Sequence, residues 1–268
     1  MTNEYRFDSN LHLHSLNEIA LTGTSSVIDV LAKPLTWWAA ECAAVECLEA
    51  GIKIPTIREE YEQAKKSANK SIAIKELEKK YPIFKKARYA HNEYKKEAAE
   101  TGVNMHAELE HFVKAIMGKV PIRADYDKKI RPFIDWTDEN VKSFIASEAH
   151  CYSEKLWIGG IVDADAELND GSLAVIDFKS SKEAYVSQFI QAAGYSIQID
   201  ENGLFSEDGK HEKKLDRKID TLIVVPFGAE EVKPEIRKNT QDYTDGFKCA
   251  VTLYRVLGID KKIKENNK

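Results

Sequence analysis

Gly160-Ile161-Val162-Asp163, then Val175-Ile176-Asp177-Phe178-Lys179, then Gln191-Ala192-Ala193-Gly194-Tyr195 decide how this chain reads. Side chains on a strand alternate between faces. The alternation predicts a strand over 157–168 with Asp163, Asp165 and Glu167 on one face. Val162, Ala164, Ala166 and Leu168 turn to the core on the other. A second strand over 173–179 sets Val175, Asp177 and Lys179 on one face and Ala174, Ile176 and Phe178 on the opposite one. Asn169-Asp170-Gly171 supplies the turn between them. In the matching register Asp163 and Asp177 become neighbours, with Lys179 one step along. Two carboxylates that close repel unless a cation lies between them. Oxygen ligands of this kind suit magnesium or manganese. Such an ion polarises a phosphoryl oxygen and lowers the pKa of a bound water. Lys179 is then placed to orient or deprotonate that water, or to offset charge in the transition state. A buried lysine beside a metal has a depressed pKa, which favours the role of base.

Outward from this stretch, the pattern changes period. Upstream it is helical: a strand or hairpin over 11–22, a helix opening near Val27 after Thr24, Ser25 or Ser26, and a break at Pro34. A second helix over 35–50 carries Trp37, Trp38, Cys42 and Val45 as its apolar stripe and stops at Gly51. Residues 56–118 read as mostly helical, with a break at Pro82 and a new helix from Val103 to Met117 opened by Thr101-Gly102. A further helix covers about 126–146. Strands over 148–155, 157–168 and 173–179 precede a helix over 182–199, a strand Thr221–Pro226, a closing helix Tyr243–Leu257 and a charged tail over 261–268. The fold class is therefore α/β in the α+β sense, a central mixed sheet flanked by helices with a helical N-terminal region. The expected organisation is a helical region over 1–100, a core over 101–260 and the tail.

The 268 residues are 43% hydrophobic and 31% charged, enough for one large globular domain with a helical extension. Residues 1–7 lack the basic-then-apolar layout of a signal peptide, and no apolar run is long enough to cross a bilayer. The expectation is an intracellular, cytoplasmic protein without a membrane partner. Cys42, Cys47, Cys151 and Cys249 form no C-x-x-C pair, so they read as free buried thiols. Net charge is −5, which argues against a nonspecific nucleic-acid coat, yet the positive charge is concentrated. Between Lys65 and Arg88 nine basic residues, Lys65, Lys66, Lys85, Lys86 and Arg88 among them, face only Glu76 and Glu78. This segment is a candidate DNA-binding surface against the plainer reading of a solvated helix.

The ordered set G-x-x-D, D-x-K and Q-x-x-x-Y resembles the RecB-like branch of the PD-(D/E)XK nuclease superfamily. Gly102-Val103-Asn104-Met105-His106 is similar to the upstream histidine helix of that family, with Glu110 one turn later. Glu148 matches the glutamate that often precedes the G-x-x-D strand. Ser25-Ser26-Val27-Ile28-Asp29-Val30-Leu31, followed by Trp37-Trp38, resembles the N-terminal region of phage-type members. The resemblance implies a restriction-endonuclease-like core and a Mg2+- or Mn2+-dependent DNA exonuclease in phage or prophage DNA recombination, repair or processing. It implies metal ligation by His106, Asp163, Asp177 and the Phe178 carbonyl, with Glu148 and Glu110 as further carboxylates. Asp163, Asp177 and Lys179 are the catalytic set, and Gln191 and Tyr195, which share a helix face at i and i+4, contact the DNA strand. A recombination or single-strand-binding partner protein and an oligomeric ring or dimer are compatible with it. The same site would serve a structure-specific or flap endonuclease, and the same fold a noncatalytic nucleic-acid-binding protein.

Two competing motifs fail on spacing. His106 and His111 stand five apart and cannot share a helix face as H-E-x-x-H requires. Asp163–Gly171 has Leu168 where a calcium loop needs glycine, which leaves Asp165 and Glu167 as solvated or outer groups.

Overall fold

The structure, a computed structural model, is described over residues 4–31, 36–49, 54–67, 69–228 and 230–266. It divides into two compact units, Met1–Ala32 with Gly102–Lys268, and Lys33–Thr101. The N-terminal 32 residues thus group with the sheet rather than with a helical region ending at residue 100. The breaks expected at Pro34 and Gly51, and the side chains of Trp37, Trp38 and Arg88, lie outside the described residues.

The larger unit opens with strands β1 (Tyr5–Asp8), β2 (Leu13–Leu16), β3 (Ile19–Ala20) and β4 (Thr22–Gly23), then helix α1 (Thr24–Ile28). The smaller unit holds α2 (Thr36–Glu49), α3 (Ile54–Lys66), α4 (Lys70–Lys80) and the first part of α5 (Pro82–Ile116). Helix α6 (Arg131–Asn140) then leads into β5 (Val141–Ser153), β6 (Ile158–Leu168), β7 (Leu173–Lys179) and α7 (Val186–Asn202). Strands β8 (Leu204–Phe205), β9 (His211–Lys213), β10 (Thr221–Pro226) and β11 (Glu235–Arg237) and helix α8 (Gln241–Asn266) complete the chain.

Strands β1, β2 and β3 form a small antiparallel sheet. The main sheet is mixed, in the order β11-β10-β7-β6-β5-β8-β9, with β10 parallel to β7. Strands β7 and β10 are apolar runs buried on both faces, as central strands must be. One face carries Met105, Leu109, Phe112 and Val113 of α5, with Phe133 of α6. The other carries Phe189, Ala192, Ala193 and Ile199 of α7.

Three expectations are corrected here. Helix α5 runs unbroken through Thr101-Gly102. A Cβ on Gly102 would lie 3.2 Å from the Cβ of Ser180, so this glycine admits a close approach rather than ending a helix. Helix α6 stops at Asn140, whose side chain donates to the Trp136 carbonyl at 2.8 Å. The next residues enter β5, an edge the helical spacing over 126–146 had concealed.

The third correction concerns the pleat. Val162 lies in the core against α7, whereas Ala164, Ala166 and Leu168 lie in the core on the other side. Alternation therefore reverses between Val162 and Ala164, and Asp163 does not share a simple face with Asp165 and Glu167. Strand β5 reverses opposite this point: Ala146 and Ala149, three apart, both face α7, and Glu148 between them has φ 53°. In β7 the alternation holds, with Ala174, Ile176 and Phe178 on one side and Val175 on the other.

Candidate metal centre

The centre is built where the main sheet forks. Strand β6 is paired along its length with β5. On its other edge β7 pairs only over Glu167↔Leu173 to Ala164↔Ile176. The same edge is taken up again by β4, parallel, at Thr22↔Ile158 and Gly23↔Gly159. Residues 160–163 face the gap between these two neighbours, and one further step of the β6–β7 register would set Asp163 opposite Asp177. No ladder pair forms there. The backbone N–H of Phe178 donates instead to Asp163 Oδ2 at 2.6 Å.

Helix α5 brings His106 to the other oxygen, with Nε2 3.3 Å from Asp163 Oδ1. The imidazole stands edge-on to Phe178 and Phe227, at ring-centre distances of 5.6 and 6.4 Å. Asp163 raises the His106 pKa above the ordinary value by hydrogen bonding, against the opposing effect of burial. The left-handed Glu148 turns its carboxylate to the same place. One ligand atom from each of His106, Glu148 and Asp163 falls within 4.8 Å of the others. Burial, then Asp163, pushes the Glu148 carboxyl up to about 7.

Asp177 is 1% exposed, and burial raises its pKa. Lys179 Nζ lies 2.8 Å from Asp177 Oδ1 and 2.7 Å from Oδ2, with hydrogen-bond geometry only to the first. Burial lowers the Lys179 pKa, but Asp177 and Asp163 outweigh it and the net shift is upward. The two carboxylates thus hold the lysine charged.

The remaining predicted residues divide. Glu110 acts on His106 and Glu148 through its charge, but its carboxylate is paired with Lys114 one turn on. Phe178 is tied to Asp163 by its N–H and not by its carbonyl. Gln191 and Tyr195 do share a face of α7, but it is a buried face, where Gln191 Nε2 donates to the Tyr195 hydroxyl at 2.9 Å. A Cβ at Gly160 would lie 2.6 Å from the Tyr195 ring and 2.8 Å from Thr24 Oγ1. Glycine in G-x-x-D therefore lets this ring close against β6. Asp165 is fully buried with neither oxygen hydrogen-bonded, and burial raises its pKa well above the usual range; it is not a solvated group. Glu167 meets Lys142 and Arg217 at 3.1 and 3.5 Å.

In the smaller unit the basic segment is partly neutralised from within. Lys65 meets Glu62 at 3.3 Å, Lys80 meets Glu60 at 2.7 Å and Lys86 meets Glu46 at 2.6 Å. Lys66 and Lys85 are exposed. The cysteines are free; Cys42 and Cys151 are buried but Cys249 is exposed, against the expectation of four buried thiols.

Sequence reasoning missed the share of the N-terminal segment in this site. A cleft of about 560 Å³ is lined by Glu148, Asp163 and Tyr195 together with His12, Thr24 and Ser26. Thr24 Oγ1 donates to the Gly159 carbonyl at 3.1 Å and accepts from Gln198 Nε2 at 2.8 Å. This clasp holds α1 to β6 and α7. The only local signal was a run of hydroxyl residues, which reads equally well as a helix cap.

His106, Glu148 and Asp163 bring an imidazole and two carboxylates close enough to share a metal ion, and Glu148 Oε1 and Asp177 Oδ2 are buried acceptors without a hydrogen bond. Comparison with protein-family models and with the curated proteins finds no match to this sequence. No helix among the described residues is long and apolar enough to cross a membrane.

Proposed function

We propose that the chain is a magnesium- or manganese-dependent DNA exonuclease with a restriction-endonuclease-like core. The observation that carries this reading is the convergence of His106, Glu148 and Asp163 beside the Asp177–Lys179 pair, with Glu148 and Asp163 lining a cleft. The backbone supports it too. A non-glycine residue in the left-handed region costs about 1–2 kcal/mol, and Glu148 combines that strain with an unpartnered buried oxygen. Such costs gather at working sites.

An ion held by Asp163, Glu148 and His106, with Asp177 Oδ2 in reserve, would supply a polarised phosphoryl oxygen and an acidified water. The protein's own groups do the rest. Phe178 N–H fixes the rotamer of Asp163, leaving Oδ1 toward His106. Asp177 anchors Lys179, whose ammonium keeps its proton and offsets charge growing on the phosphoryl oxygens. The ring of Tyr195 packs against Gly160 and forms part of the cleft lining.

The test is release of end label from linear DNA, with manganese, with magnesium and with chelator. Metal-dependent release is expected. No metal-dependent cleavage of single- or double-stranded substrates would remove the assignment. A covalently closed circle should stay intact under the same conditions, and nicking of the circle would replace exonuclease by endonuclease.

A further inference from the structure

The cleft poses an electrostatic problem for a polyanionic substrate. Its described lining contains no lysine or arginine. Around the metal centre stand Glu110, Glu148, Asp163 and Asp177, and Lys179 is ion-paired to Asp177 with a hydrogen bond to Oδ1. One other ammonium acts on this set. Lys114 lies on α5 at i+8 from His106 and i+4 from Glu110, so the three residues form one stripe along the helix. Lys114 acts by its charge on Glu148 and is ion-paired to Glu110. Its side chain is 31% exposed and that of Glu110 28%. A partly exposed i,i+4 pair on a helix contributes little to stability and exchanges readily.

We infer that Lys114 is a substrate-binding residue that leaves Glu110 to take a backbone phosphate of the nucleic acid next to the bond held at the metal centre. Glu110 is its resting counter-ion: it keeps the ammonium extended along the helix stripe until a stronger anion arrives. A nucleic-acid backbone presents a row of phosphates, and release of their condensed counterions adds to the pull of any one of them, so the exchange runs toward substrate. This inference rests on the nuclease reading.

The experiment measures binding of a fluorescent DNA oligonucleotide in calcium across a salt series, for the wild type, Lys114→Ala, Lys114→Arg and Glu110→Gln, with cleavage kinetics in manganese alongside. Lys114→Ala should weaken binding roughly ten- to hundredfold and lower the slope of log Kd against log salt by about one. Its cleavage defect should appear mainly in KM. Lys114→Arg should keep the slope, and Glu110→Gln should bind at least as tightly as the wild type because the competitor for Lys114 is gone. A Lys114→Ala slope equal to that of the wild type, or matched losses in Lys114→Ala and Glu110→Gln, would make the pair purely structural and overturn the inference. A wild type that cuts nothing while Lys114→Ala still lowers the slope would sink the nuclease reading and leave the phosphate contact standing. Cleavage by the wild type with an unchanged slope would do the reverse.

Discussion

The carboxylate of Asp163 accepts the backbone N–H of Phe178 at 2.6 Å, taking a bond that a continuing ladder would have given to a backbone carbonyl. That substitution marks the point where β6 and β7 part. It ties an acidic side chain to the strand that carries Asp177 and Lys179, so the spacing of the three groups is set by main-chain geometry.

Asp177→Asn and Lys179→Ala should each lower cleavage at least about a hundredfold, the usual scale for a positioned charge or proton-transfer group. Asp177→Asn keeps the volume of a fully buried side chain, so its far-UV dichroism should match the wild type. Release of end label within a few-fold of wild type in either variant would take these residues out of the chemistry.

Metal binding should release protons near pH 6. The folded Glu148 carboxyl sits at about 7 against an ordinary 4.5, so it is largely protonated at pH 6 and must ionise to bind a cation. Its own contribution to metal-free stability is full below about pH 4.5 and lost as pH rises through about 7. Calorimetry of manganese binding in two buffers of different ionisation enthalpy should show release of more than one proton at pH 6, from the Glu148 carboxyl and the His106 imidazolium together, and less at pH 8.5. Glu148→Gln should reduce the difference. Equal proton release at both pH values in the wild type would contradict this account.

Gly160→Ala should destabilise the fold by about 1–3 kcal/mol, as overpacking does in a close-packed interior. The new methyl meets the Tyr195 ring at 2.6 Å and Thr24 Oγ1 at 2.8 Å. Urea unfolding would read the loss as a lower midpoint at unchanged slope. A midpoint equal to that of the wild type would show that the ring moves freely.

Asp165→Asn should stabilise the protein, and more so as pH rises. The buried carboxyl has a pKa well above 3.8, so the folded state keeps a proton that the unfolded chain gives up. Each pH unit between the two values costs the wild type roughly 1.4 kcal/mol, and asparagine carries no such cost. Unfolding at pH 5 and at pH 7 should show the gap widening in favour of Asp165→Asn. A gap that narrows with pH would mean that Asp165 is ionised and paired in the folded protein.

Much of the fold was legible because the signals were local. The run from Leu173 to Lys179 and the strand Thr221–Pro226 appear where alternation and apolar composition put them. The helix that follows Lys179 starts four residues later and ends three later than its spacing suggested. The candidate site was legible as a set of residue types, His106, Asp163, Asp177 and Lys179, but not as an arrangement. Gln191 and Tyr195 show the difference. Their spacing placed them on one helix face, and nothing local said that this face would be pressed against Gly160 and sealed from water.

The sequence by itself determined which residues share a strand or a helix face, since a period of 2 or 3.6 depends only on neighbours along the chain. Only the tertiary structure decided that the pleat reverses at Glu148 and after Val162, that α5 runs straight through Gly102, and that β4 rather than β7 completes the edge of β6. It also decided the charge on Lys179. Ionisation follows from the water lost and the charges gained around a group, and those come from surfaces that meet only when distant segments pack.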